Sequence, residues 1–297
     1  MMTNALPHSL IRPPLNTLSS RYHLHERLGM GGMGAVYRAT DRWTGTTVAL
    51  KRTSTVASPT PDPDETLTFG LNSQALTHEY HTLAELHHPN IIRVYDYGLD
   101  ENANPFFTMP LLEGAQDILK AARTLKPEGK LDLLRQLLDA LAYLHQHGII
   151  HRDVKPANIL VMDGVVKLLD FGLAISPSKP TPLEGRTVGT LYYVAPEVLQ
   201  GGAFSEASDL YAVGMIAYEM FAGMHPFHSS DVMDIIDGIL NRGVDVTLLD
   251  VDERTAALIA RLTARHPQVR YANAHDILAD LRVMLSSQPK TQRYSHS

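Results

Sequence analysis

Apolar positions recur with two different periods along this chain, and the change comes part-way through. In residues 21–112 they fall in short β-type runs, Ala35–Thr40, Thr46–Arg52, Ile91–Tyr97 and Pro105–Leu111, around one helical pattern at Gln74–Leu86. From about residue 116 helical spacing dominates. Leu131, Leu134, Leu137, Leu138, Leu141 and Leu144 recur at three- and four-residue steps, the signature of an amphipathic helix facing a core. Leu210–Phe221 is apolar nearly all round, as a helix enclosed by a domain would be. The pattern predicts an α+β, two-lobed architecture: a small β-rich half with one main helix over 21–112, then a larger α-helical half over 113–285. Clefts between such halves are common ligand sites. Residues 1–20 and 286–297 are polar and aperiodic, and an internal stretch, 53–68, opens with the proline-rich TSTVASPTPDPDET; all three are expected to be disordered. No internal repeat is present.

Composition narrows the chemistry. At 297 residues with 44% hydrophobic and 20% charged positions, the chain can bury two modest cores. Cysteine is absent, which excludes disulfides, thiolate metal sites and a cysteine nucleophile. That agrees with a reducing compartment, and a cytoplasmic location is expected. A formal charge of −6 argues against a nucleic-acid partner, which needs a basic face. The N-terminus has no apolar signal core. The most apolar stretch, Tyr211–Gly223, is too short for a bilayer span of about 20 residues, so no membrane insertion is expected.

Two motifs carry the candidate chemistry. Leu28-Gly29-Met30-Gly31-Gly32-Met33-Gly34-Ala35-Val36 fits G-x-G-x-x-G-x-V. A dinucleotide fingerprint would run directly into a helix, but here a β-type run follows, then a Trp43–Thr46 turn and another strand. A glycine hairpin lets backbone N–H groups approach phosphates without Cβ interference. Lys51 follows on the next strand, placed to reach those phosphates, with Glu79 on the 74–86 helix as the carboxylate that would hold it. The second motif is His151-Arg152-Asp153-Val154-Lys155-Pro156-Ala157-Asn158-Ile159-Leu160, followed by a hairpin signal at Asp163-Gly164 and then Leu168-Leu169-Asp170-Phe171-Gly172.

Together these segments resemble the eukaryotic-like (Hanks-type) protein Ser/Thr kinases, over about residues 20–285, and the Gly-Gly-Met-Gly form of the loop resembles the bacterial branch. The resemblance implies transfer of the γ-phosphate of ATP to Ser/Thr hydroxyls of protein substrates. Asp153 would be the base and Lys155 the γ-phosphate contact, with Lys51 and Glu79 as the phosphate-holding pair. Asn158 and Asp170 would ligate Mg²⁺, for which Mn²⁺ could substitute. The base would lie against Val36, Ala49 and Leu160, with Leu28, Gly29, Gly31 and Gly34 over the nucleotide. Met109 falls at the gatekeeper, and Pro110 and Leu112 at the hinge. Pro110 stands where an acidic residue is often found, but only its carbonyl is needed there.

The family's activation segment is matched by Gly189–Glu197, in which Thr190 would steady Asp153 and Lys155. Glu197 would pair with Arg270. Asp209 is either a helix N-cap or a brace for the 151–153 turn. Arg152 beside Asp153 implies control by a loop phosphate, on Thr187 first, then Thr181, Ser176 or Ser178. Autophosphorylation in trans would use a transient homodimer. His145, His147 and His151 are close in sequence but read as structural rather than metal-binding. His151 is expected in a hydrophobic column with Leu83, Val94 and Phe171. Lys51 and Glu79 are separated more widely than in the family, and 53–68 accounts for it, as a phosphorylation site, a docking loop or an inert insertion. The rival readings are a pseudokinase scaffold that binds nucleotide without catalysis and a small-molecule phosphotransferase; the retained Lys51, Asp153, Asn158 and Asp170 oppose the first and the intact 186–197 segment opposes the second.

Overall fold

The structure is a computed structural model that describes residues 17–18, 20–31, 34–52, 86–102, 104–169 and 188–286. The described residues form two compact units. Those up to Arg52, with Val94–Leu111, make the first; 86–93, with Leu112 onward, make the second.

The first unit is one antiparallel sheet of β1 (Thr17–Leu18), β2 (Tyr22–Gly31), β3 (Gly34–Asp41), β4 (Thr47–Arg52), β5 (Asp96–Leu99) and β6 (Pro105–Pro110), in the order β1-β2-β3-β4-β6-β5. One face buries Leu18, Tyr22, Ala39, Val48, Leu50 and Phe106, the last packed edge-on against Tyr22 at 5.7 Å. At the opposite end from the glycine hairpin Arg21 clips three strands, bonding Asp41 at 3.0 and 2.8 Å and Asp96 at 2.6 Å while stacking on Trp43. The Arg21 hydrogen bond holds the Asp41 carboxyl far below the usual carboxylate range.

The second unit holds β7 (Gln116–Asp117), α1 (Ile118–Ala122), α2 (Pro127–Gln146), β8 (Ile159–Met162), β9 (Val165–Leu168), α3 (Val188–Leu191), α4 (Pro196–Leu199), α5 (Glu206–Ala222), α6 (Val232–Asp237), α7 (Glu253–Leu262) and α8 (Ala274–Ser286). The leucine stripe predicted for α2 is buried, and α2 lies against α5 and α8. As its uniformly apolar sequence requires, α5 is buried almost all round. A Cβ on Gly214 would stand 2.7 Å from Leu262 Cβ and 2.8 Å from Thr263 Cγ2, so only glycine lets α7 approach this closely. Strands β7, β8 and β9 form a small sheet whose hairpin turns at Asp163 and Gly164, both at positive φ, 51° and 77°.

Two expectations about strand and unit boundaries change. The run predicted as a strand over Ile91–Tyr97 becomes a strand only at Asp96–Leu99, and residues 86–93 belong to the second unit. Asn90 is the reason. Its side-chain amide bonds Gln136 Oε1 at 2.9 Å and the Val166 carbonyl at 3.1 Å, and Ile91 bridges to Leu168 as an isolated parallel pair. The Asn90 carbonyl and the Ile92 N–H therefore find their partners on Leu168 of β9. The chain passes between units at Leu111/Leu112, one residue before the boundary drawn from the pattern. The expected helix at 74–86 and the insertion at 53–68 lie outside the described residues, apart from Leu86, which is not helical.

Candidate active site

In the first unit, β2 and β3 form the glycine hairpin, with Gly29 opposite Val36 and Gly31 opposite Gly34. Gly34 has φ 130°, a conformation a side chain would strain, so the loop needs glycine at this end. Register shifts beside Arg27 bend β2 toward the turn. Leu28 is exposed, and Val36 sits across from Lys51 on β4. Lys51 is buried, with its Nζ 5.9 Å from the Phe107 ring centroid. Ala49 pairs with Met109 and Val48 with Pro110, so the predicted gatekeeper and hinge residues end β6 beside β4. Pro110 occupies the last strand position, where its missing N–H disturbs the ladder least.

The second unit assembles the other motif. Asp153 is buried, and its Oδ2 takes Lys155 Nζ at 2.8 Å and Asn158 Nδ2 at 2.9 Å. Asn158 Nδ2 also donates to the Asp153 carbonyl at 2.8 Å. A short 3-10 turn, Pro156–Asn158, brings Asn158 back over Asp153 and leads into β8, which carries Leu160. Because the Asn158 amide nitrogen is committed twice to Asp153, its Oδ1 is the atom turned to other duty, a neutral hard oxygen suited to Mg²⁺. Likewise both donors on Asp153 use Oδ2, leaving Oδ1 to accept a proton.

This loop is held under strain. Arg152 has φ 67°, unusual for a residue with a side chain. Asp209, from the first turns of α5, fixes it by accepting the His151 N–H at 2.8 Å and the Arg152 N–H at 2.9 Å. Asp209 is thus the brace and not the N-cap; Ser205 caps α5 through a capping box with Ser208. His145 Nε2 meets the same carboxylate at 2.9 Å, a partner sequence reasoning did not assign to it. His151 is fully buried; its Nδ1 accepts the Asp153 N–H at 3.3 Å and its Nε2 donates to the Leu169 carbonyl at 2.9 Å. His147 Nδ1 bonds the Tyr143 carbonyl at 2.7 Å, so each of the three neighbouring histidines has a polar partner of its own. Glu197 and Arg270 form the expected bidentate pair, both contacts at 2.7 Å.

Comparison with known proteins places the chain in a family. The family model described as "Protein kinase domain" matches residues 22–283. The chain belongs to the protein kinase domain family. Among similar proteins, the serine/threonine-protein kinase PknL of Mycobacterium tuberculosis is 35% identical over 281 residues, covering 91% of this chain and 67% of the relative. PknB of Mycobacterium leprae is 33% identical over 290 residues, covering 92% of this chain and 44% of the relative. The chain spans from 34% to 67% of the length of several of the curated relatives it matches. No helix among the described residues of this kinase domain is long and apolar enough to cross a membrane.

Several residues of the kinase motif set fall outside the described residues: Glu79, Asp170, Thr181, Thr187, Ser176 and Ser178, with Leu83 and Phe171 of the proposed His151 column. Thr190 lies in the short helix α3.

Proposed function

We propose that this kinase domain is catalytically active and transfers the γ-phosphate of ATP to Ser and Thr hydroxyls of proteins. The observation that carries the reading is the buried Asp153 with Lys155 and Asn158 locked on its Oδ2. An acceptor hydroxyl placed at Oδ1 gives its proton to Asp153 as its oxygen bonds the γ-phosphorus. The bond from that phosphorus to the bridging oxygen breaks, and ADP leaves. Lys155, 2.8 Å from Asp153, is within reach of the same oxygens and offsets their developing charge. Asn158 and Asp170 would hold Mg²⁺, which neutralises charge across the phosphates when bound. The glycine hairpin and Lys51 would bind the phosphates, the latter supported by Glu79, while Val36, Ala49, Met109 and the Pro110 carbonyl would meet the adenine. Arg152 would receive a phosphate on Thr187 or Thr181, with Thr190 steadying Asp153. The serine/threonine specificity in the names of PknB and PknL supports the acceptor class.

The test is phosphate transfer from radiolabelled ATP with Mg²⁺, to the chain itself and to a generic basic protein, beside Asp153→Asn. Phosphoserine and phosphothreonine that vanish in the variant, with ATP binding kept, are expected. Tight ATP binding without transfer would favour the scaffold reading instead.

A further inference from the structure

His225 lies three residues beyond Ala222, the last residue of α5, and is buried, although nothing in the catalytic motifs calls for a histidine there. Both ring nitrogens are used. Nδ1 accepts the Phe227 N–H at 3.1 Å, and Nε2 faces the Tyr192 carbonyl at 3.0 Å. A backbone N–H can only donate and a carbonyl can only accept, so the two neighbours fix one neutral tautomer with the proton on Nε2. The ring also packs at a tilt against Tyr192, with centroids 4.4 Å apart, and meets Tyr193 and Phe227 at 5.8 and 5.9 Å. Tyr192 and Tyr193 are pinned further out as well, through Tyr192 Oη to the Ser229 carbonyl at 3.1 Å and Tyr193 Oη to Glu219 Oε2 at 2.7 Å.

The consequence is mechanical. Residues 192–195 form the short connection between α3 and α4; Val194 and Ala195 are buried, as is Leu191 at the end of α3, while Tyr192 and Tyr193 are half-buried. Its backbone has little regular structure to hold it. His225 ties the peptide after Tyr192 to the rigid C-terminal end of α5, the most enclosed helix of the second unit. An apolar residue of the same size could fill the space among the three aromatic rings but could not fix a carbonyl.

We propose that His225 is a positioning residue for the protein substrate, setting the backbone of the 192–195 segment, to which the kinase reading assigns the acceptor peptide. This deepens the kinase reading and rests on it. His225 touches neither the reacting atoms nor the nucleotide set, so it acts through Tyr192 on peptide binding alone.

Two isosteric variants separate the bond from the packing. In His225→Asn the side-chain oxygen can replace Nδ1 and accept from Phe227, but the side chain is too short to reach Tyr192. In His225→Gln the terminal amide can replace Nε2 and donate to the Tyr192 carbonyl. Both lose the ring, so any general destabilisation is shared. Steady-state kinetics on the full chain, varying peptide and then ATP, should show the peptide KM rising about tenfold in the Asn variant and staying near the original in the Gln variant. The ATP KM should change less than about twofold in either. Hydrogen exchange at the Tyr193 and Val194 amides should quicken in the Asn variant only, which reads the segment without relying on activity. Equal peptide KM in the two variants, raised or unchanged, would overturn the proposal while leaving the kinase reading intact. Absence of transfer by the unsubstituted chain would overturn the kinase reading and this inference with it.

Discussion

Replacing Arg270 by alanine removes a side chain of the second unit whose hydrogen-bonding capacity is fully used. All five of its N–H groups are engaged: Nε on the Ala264 carbonyl at 2.7 Å, Nη1 on Glu197 at 2.7 Å and the Ala207 carbonyl at 2.8 Å, and Nη2 on Glu197 at 2.7 Å and the Arg265 carbonyl at 3.1 Å. The guanidinium also lies 4.8 Å from the Tyr211 ring centroid. The arginine side chain is 0% exposed and Glu197 20%, so truncation strands a mostly buried carboxylate and three carbonyls. Breaking a buried pair from one side costs about 3–5 kcal/mol, and the partial exposure of Glu197 argues for the lower end, about 3 kcal/mol. Urea unfolding is the assay. Far-UV circular dichroism reports the helices of the second unit, while the single tryptophan, Trp43, reports the β3–β4 turn of the first. With typical urea slopes, the dichroism midpoint should fall by about 1 M or more. Adding Glu197→Gln should restore part of the loss, because the stranded charge goes with it. A loss under about 1 kcal/mol, or a double variant no better than Arg270→Ala, would refute the reasoning.

Three further outcomes follow from single contacts. Asp209→Asn replaces one of two oxygens that accept from His151, Arg152 and His145, so one donor must face another donor. Turnover should fall about tenfold or more with ATP affinity kept, and unchanged turnover would show that Arg152 holds its φ without the brace. Gly214→Ala forces a methyl against Leu262 and Thr263, and thermal unfolding should register about 1–3 kcal/mol of overpacking; a neutral substitution would mean α5 and α7 separate freely. Burial holds His225 down to about 4, against an ordinary value near 6.5, with His228 adding repulsion. Its folded state favours the neutral ring, so this contribution is complete above pH 6.5 and is lost as pH falls from there toward 4, up to about 3 kcal/mol. Comparing urea stability with His225→Gln across that range should remove this slope, and an identical slope in both chains would assign it to other groups.

Much of this protein could be read from residue order because the deciding interactions are local or repeat with a short period. The leucine steps of α2, the apolar run of α5, the turn at Asp163-Gly164 and the 151–158 loop each bring together residues within a few positions of one another. β2 was not legible as a strand because His23, His25, Glu26 and Arg27 break its alternation and register shifts interrupt its pairing. Other features depend on partners far along the chain, which periodicity does not report. The His151 backbone finds Asp209 58 residues on, and the guanidinium of Arg270 closes on Glu197 across 73, a pairing that only family resemblance had suggested. Asn90 draws 86–93 into the second unit by bonding Gln136, 46 positions away. A histidine in Met224-His225-Pro226-Phe227 carries no signal by itself. Its tautomer and its hold on Tyr192 exist only once α5 ends beside residues 192–195, because a buried imidazole takes its role from the donor and the acceptor that tertiary packing places on either side.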